Sequence, residues 1–160
     1  MHPSDSATAP LPPFLRACRG IPGGPGARVP VWFMRQAGRS LPEYRAIRGN
    51  GSILDKIRVP ELAAEITLQP VRRYGVDAAI LYSDIVVPVA AIGFGVDVAP
   101  GVGPVVDDPF TRTADLDRLR ALEPELDTPY VLETVRILRE QGPDRLHSRK
   151  LRSFDEPAFR

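Results

Sequence analysis

Two arginines four residues apart, Arg35 and Arg39, bracket Gln36, Ala37 and Gly38. A guanidinium is a planar fork that grips a carboxylate through two parallel hydrogen bonds, and small residues between two forks let the backbone approach a ligand closely. The spacing suits a ligand carrying several carboxylates; it also suits a solvated arginine pair on a loop. The second candidate is Asp84, in Tyr82-Ser83-Asp84-Ile85 at the end of an apolar run. A carboxylate there accepts hydrogen bonds from ligand N–H groups or stabilises a cation forming in a reaction. It equally serves as the N-cap of a following helix.

Other chemistries are narrowed by what the chain contains. Cys18 is its one cysteine, so an intrachain disulfide and a thiolate metal cluster are excluded, and it reads as a buried or neutral bystander. His2 and His147 lie at the two extremes, so a histidine base or a histidine-ligated metal in the folded middle requires the termini to return to it. Lys+Arg 21 against Asp+Glu 20 gives a net charge of +1, which offers no basic field to nucleic acid or to a membrane surface. The longest apolar run, Ile85 to Val96, contains Pro88 and is shorter than the roughly 20 residues of a spanning helix. The first residues show no cationic region followed by an apolar core, so the expected compartment is the cytoplasm. Gly93-Phe94-Gly95 and Gly101-Val102-Gly103 lack the strand and helix of a dinucleotide fingerprint and read as turns. Arg72-Arg73 reads as a solvated helix face.

The elements that must position these residues follow from the hydrophobic pattern. Residues 1–10 are small, polar and proline-bearing, a disordered leader by composition. Pro12 and Pro13 suit the start of a short helix through Leu15 and Ala17 that ends at Gly20. Val31-Trp32-Phe33 is a β-branched and aromatic run, read as a strand with Trp32 in the core, that leads into the arginine loop. Ser40, Pro42 and Glu43 have the spacing of an N-cap, a first-turn proline and a capping glutamate, predicting a helix with Tyr44, Arg45 and Arg48 that ends at Gly49. Pro60 to Tyr74 carries Leu62, Ala63, Ile66 and Val71 at helical spacing, with Gly75 as its stop. Asp77 to Tyr82 is apolar without alternation, as in a parallel strand covered on both faces, and places Asp84 at its C-terminal end. Residues 96–106 are hairpin-like or irregular. A helical turn over 115–122 and a helix from Thr128-Pro129 to about Glu140 complete an order that points to an α/β fold with a parallel sheet or barrel.

Three stretches then carry a resemblance: PVWFMRQAGRSLPEYR (30–45), ELAAEITLQPVRRYGVDAAILYSDI (61–85) and APGVGPVV (99–106). In this order and spacing they closely resemble the uroporphyrinogen decarboxylase family, from about Phe14 to Pro143. The resemblance implies a (β/α)8 TIM barrel, of which residues 11–143 hold about the first three β/α units. It implies a carboxy-lyase that takes uroporphyrinogen III to coproporphyrinogen III by removing its four acetate carboxylates, a step of haem biosynthesis. It further implies a homodimer at full length, with no metal or organic cofactor. Carried over by position, Arg35, Gln36, Ala37, Gly38 and Arg39 form the substrate-binding loop, and Asp84 gathers the pyrrole N–H groups. Asp84 and Arg35 are the catalytic pair, although a guanidinium is a poor acid at neutral pH and suits carboxylate binding better.

The segment 144–160 departs from this pattern. An alternating fold calls for an apolar strand after the last helix, whereas DRLHSRKLRSFDEPAFR is rich in arginine and has no core face. At 160 residues the chain also falls short of the roughly 200 to 250 of a closed barrel. These features predict a truncated or frameshifted product, inactive by itself. The alternative is a non-catalytic remnant or tetrapyrrole-binding module. A metal-dependent methyltransferase of similar fold fits less well, for want of a Cys/His ligand set.

Overall fold

Proline starts most of the helices, because its fixed φ and missing N–H suit the first helical position. In the computed structural model, which describes residues 11–34, 38, 40–99 and 101–141, α1 (Pro13–Cys18) and α2 (Pro42–Arg48) both begin this way. The short α3 (Ile53–Ile57) begins instead behind Ser52, whose Oγ accepts the Leu54 N–H at 3.2 Å. Then come α4 (Pro60–Tyr74), α5 (Val87–Ala91) and an antiparallel hairpin of β1 (Val96–Ala99) and β2 (Gly103–Val106), in register from Val96↔Val106 to Ala99↔Gly103. A 3-10 turn (Thr113–Arg118), α6 (Pro124–Asp127) and α7 (Pro129–Gln141) complete the order.

The core is built around α4. Ala63, Ile66, Thr67, Pro70 and Val71 recur at helical spacing and are all buried. Around them gather Leu41 and Tyr44 from α2 and its approach, Leu54 and Ile57 from α3, and Tyr82 and Val87. Helix α7 packs along α4 and buries Thr134 and Ile137. Truncating Ile66, which has no exposed surface, to alanine carries the usual core cost of about 2–5 kcal/mol. Gly75 ends α4 as expected: it sits at φ 61°, where a side chain is disfavoured, and its N–H returns to the Val71 carbonyl. Lys56 is buried and donates to the carbonyls of Asn50, Gly51 and Ser52 at 3.0, 3.1 and 3.2 Å, which fastens the α2–α3 loop.

Several expectations need correction. Neither Val31–Phe33 nor Asp77–Tyr82 is a strand, and the β1–β2 hairpin is the sheet content of the described residues. A strand is made by ladder partners rather than by composition; these two segments meet instead at a side-chain junction centred on Asp77. Trp32 is 41% exposed rather than in the core, with its ring edge-to-face against Phe14. Cys18 is exposed, because α1 buries none of its residues. The N-cap of α2 is Leu41, not Ser40, and Glu43 pairs across to Arg73 on α4 at 3.0 Å. The regions 1–10 and 144–160 lie outside the described residues.

Candidate functional site

Asp84 follows segment 77–82, which forms no helix or strand, and turns the chain into α5. Its Oδ1 accepts the Val86 N–H at 3.0 Å and its backbone carbonyl accepts the Val87 N–H at 3.1 Å, so the carboxylate holds a turn through its own side chain. The residue is half-buried, while the neighbouring Ile85 is 95% exposed. Val86, not Asp84, holds the N-cap position of α5, so the carboxylate's structural role is the turn before the helix. It does not preclude ligand binding, since a carboxylate has about four acceptor positions.

Of the predicted loop, Gly38 is half-buried and its carbonyl accepts the Leu41 N–H at 3.0 Å, which sets the approach to α2. Arg35, Gln36, Ala37 and Arg39 lie outside the described residues.

Two junctions join the chain on either side of this loop with the chain leading to Asp84. At the near end, the buried Asp77 carboxylate takes both guanidinium nitrogens of Arg28, Nη1 at 2.6 Å, and also the Val31 N–H at 2.8 Å. The Asp77 N–H returns to the Val31 carbonyl at 2.8 Å. The hydrogen bond to Asp77, and then its charge, raise the pKa of Arg28 further. At the far end the Tyr44 and Tyr82 hydroxyls lie 3.3 Å apart, with their rings edge-to-face at 6.1 Å. Burial, followed by the hydrogen bond with Tyr44, pushes the Tyr82 hydroxyl well above the ordinary tyrosine range. Thr67 adds a third tie, donating to the Ala63 carbonyl at 2.7 Å and accepting the Tyr82 N–H at 2.8 Å.

None of Arg28, Tyr44, Thr67, Asp77 and Tyr82 stands out as a site residue in the sequence. The one available signal is an aspartate opening an apolar run, DAAILY, where a buried carboxylate needs a partner. The remaining candidates are structural. Arg72 and Arg73 pair with Glu65 and Glu43, as a solvated face does. Gly93, Gly95, Gly101 and Gly103 all sit at positive φ, Gly93 and Gly101 in turns, Gly95 just before β1 and Gly103 at the start of β2. No cluster of His, Cys, Asp and Glu suited to a metal occurs among the described residues, and no helix among them is long and apolar enough to cross a membrane.

The arginine-loop and Asp84 stretches fall inside a match to the uroporphyrinogen decarboxylase (URO-D) family that covers residues 10–147. The chain belongs to the uroporphyrinogen decarboxylase family. A curated uroporphyrinogen decarboxylase of Salinispora tropica is 62% identical over 137 residues, which is 86% of this chain and 35% of the relative. Those of Streptomyces griseus and Geobacillus thermodenitrificans are 60% and 54% identical, over 78% and 82% of this chain and 33% and 37% of their own lengths. The chain thus spans about a third of the length of these curated relatives. The family fold is a TIM barrel, and the described residues form a partial α/β arrangement without a closed barrel.

Proposed function

We propose that the chain forms the substrate-holding face of a uroporphyrinogen decarboxylase, which converts uroporphyrinogen III to coproporphyrinogen III. The observation that carries this reading is the 62% identity to the Salinispora tropica enzyme over 137 residues. Residues 11–143 would supply about the first three β/α units of a (β/α)8 barrel, and the full-length assembly would be a cytoplasmic homodimer.

The chemistry gives each residue a task. Loss of carbon dioxide from a pyrrole acetate leaves an electron pair that needs a sink. Protonating the ring carbon beside the nitrogen makes the ring cationic, and the pair from the breaking C–C bond flows into it. A proton then adds to the exocyclic carbon and the ring proton leaves, so each acetate consumes one proton net and ends as a methyl group and carbon dioxide. Asp84 accepts the pyrrole N–H groups and stabilises the cation where it forms. Arg35 and Arg39 hold acetate and propionate carboxylates, with Gln36, Ala37 and Gly38 giving the backbone its close approach. The protonated pyrrole is itself the electron sink.

A second reading, tetrapyrrole binding without turnover, is favoured by the exposed apolar run Val31–Met34. A chimaera separates the two. Residues 10–147 of this chain replace the matched segment of the Salinispora tropica enzyme, and coproporphyrinogen III is measured by chromatography after oxidation. Turnover that D84N abolishes supports the decarboxylase reading. A folded chimaera that binds uroporphyrin and turns over nothing supports the second.

A further inference from the structure

Thr67 lies buried in the middle of α4, and its hydroxyl is engaged twice. The hydrogen goes to the Ala63 carbonyl one turn back at 2.7 Å, which leaves the oxygen to accept, and it takes the Tyr82 N–H at 2.8 Å. Thr134 on α7 is the informative contrast. It is also buried and donates to the Tyr130 carbonyl at the same 2.7 Å, but among the described residues no N–H ends on its oxygen. A bond to the preceding turn is common in helical threonines. The bond from Tyr82 distinguishes Thr67.

Segment 77–82 forms no helix or strand, so its buried N–H groups need partners other than a ladder. Thr67 is the partner of the Tyr82 N–H, and a side chain that holds this N–H withdraws it from any neighbouring strand. The chain therefore leaves the segment at Tyr82, two residues before Asp84. Beyond Asp84 it is secured again, by the Val86 N–H on the carboxylate and by Val87, which packs in one core cluster with Tyr82 and with Ala63 and Ile66 of α4. Residues 83–86 thus span two fixed points, and Asp84 lies inside that span.

We propose that Thr67 is a positioning residue for the decarboxylation: by tying the Tyr82 N–H to α4, its hydroxyl fixes where the Asp84 carboxylate stands. The proposal rests on the role given to Asp84 under the proposed function. A carboxylate that stabilises a cation must be in place before the charge forms, and a misplacement of about 1 Å is enough to cost about a hundredfold in rate. Valine matches threonine in shape but accepts no hydrogen bond. It would leave a buried N–H without a partner and release the chain to move toward one. Serine keeps the hydroxyl, so it should keep the tie.

The test uses the full-length chimaera with the Salinispora tropica enzyme, which restores the rest of the family chain, unaltered and as T67V, T67A, T67S, T134V and D84N. Turnover of uroporphyrinogen III per folded enzyme is expected to show kcat about tenfold to a hundredfold lower in T67V and T67A, with KM within about threefold. T67S and T134V should keep both constants within about threefold of the unaltered chimaera, since one retains the hydroxyl and the other removes a threonine that ties down no second segment. Amide exchange over residues 83–87, read without substrate, should quicken severalfold in T67V and T67A and not in T134V. Whichever of T67V and T67A folds is sufficient for the comparison. Unchanged kcat in these variants, or an equal loss in T134V, overturns the proposal, and an inactive D84N beside it leaves the functional reading intact. Full turnover in D84N, or none in the unaltered chimaera, counts against that reading instead. Exchange then decides the tie alone: faster rates over residues 83–87 in T67V uphold it, and unchanged rates overturn it.

Discussion

The Asp77 carboxylate closes on the Arg28 guanidinium across 49 residues of sequence, although Arg28 is 56% exposed in its side chain and Asp77 only 4%. The asymmetry shows where the cost of breaking the junction falls. Removing Arg28 leaves a carboxylate still bonded to the Val31 N–H, whereas removing Asp77 strips both partners. Asp77→Ala should therefore destabilise the junction by about 1–3 kcal/mol, the range for an abandoned polar group. Asp77→Asn keeps an acceptor for Val31 and should lose less. Trp32, the chain's one tryptophan, adjoins the junction, so its fluorescence during urea unfolding reports both effects. Equal midpoints for Asp77→Ala and wild type would remove Asp77 from this role.

The helices were legible in the sequence because their causes are local. Pro42, Pro60 and Pro129 start them, Gly49 and Gly75 stop two of them, and the apolar spacing of Ala63, Ile66 and Val71 marks the buried face of α4. The junctions are not local. Glu43 has the spacing of a capping residue, but Arg73 lies 30 residues away and takes both of its carboxylate oxygens. Val31–Phe33 and Asp77–Tyr82 have strand composition, yet a ladder depends on neighbours that composition does not name. For the same reason Tyr44 and Tyr82 read as apolar positions, and their hydroxyl contact emerges only once α2 and the Asp84 segment share a core.

Asp84→Asn separates the two tasks of that carboxylate. Asparagine retains a side-chain carbonyl for the Val86 N–H, so the turn into α5 should survive with stability close to wild type. The charge that would stabilise a pyrrole cation is lost, so turnover of the chimaera should fall far more than its melting temperature. Unaltered turnover would leave Asp84 as a turn-forming residue alone.

Arg35→Ala and Arg39→Ala act on the other half of the proposed site. Each should cost about 2–4 kcal/mol in kcat/KM for uroporphyrinogen III in the chimaera, the range for a charged hydrogen-bonded pair that loses one partner. Lysine at either position should recover part of the charge and little of the forked geometry. Unchanged kinetics in both alanine variants would return the pair to a solvated loop.

Acid should open the contact between α6 and its surroundings. Asp127 takes the Arg120 guanidinium at 2.6 and 2.8 Å and the Glu123 N–H at 2.8 Å, and these two partners, in that order, bring its carboxyl from 3.8 down to about 2. A carboxyl depressed in the folded state adds stability above its unfolded value and loses it as the pH falls through the folded one. The contribution should therefore be complete above pH 3.8 and fade toward pH 2. Arg120 also donates to the Ala91 carbonyl at the end of α5, so that link should loosen with it. Carboxyl carbon shifts of Asp127 followed against pH should show a midpoint near 2; titration at the ordinary aspartate value would mean that the ion pair does not form in solution.

The 160-residue chain by itself should self-associate and should not decarboxylate. Val31, Trp32, Phe33 and Met34 are 46%, 41%, 53% and 76% exposed, and Ile85 beside the candidate carboxylate is 95% exposed. In the family's barrel, segments of this kind are flanked by ladder partners and covered by helices. Left open, they offer unpaired backbone and apolar side chains to any similar surface. Burying about 400 Å² of such surface is worth about 10 kcal/mol at roughly 25 cal/mol per Å², comparable to the stability of a whole domain. Association between copies is therefore strongly favoured as concentration rises. It does not supply the roughly two thirds of the curated relatives that the match leaves uncovered, so the macrocycle remains open to water on the side those residues would occupy. Sedimentation should show mass increasing with concentration, a dye that binds apolar surface should light up at pH 7, and uroporphyrinogen III should be recovered unconverted. A monomer that unfolds cooperatively and yields coproporphyrinogen would show instead that Arg35, Arg39 and Asp84 suffice for the chemistry within these residues.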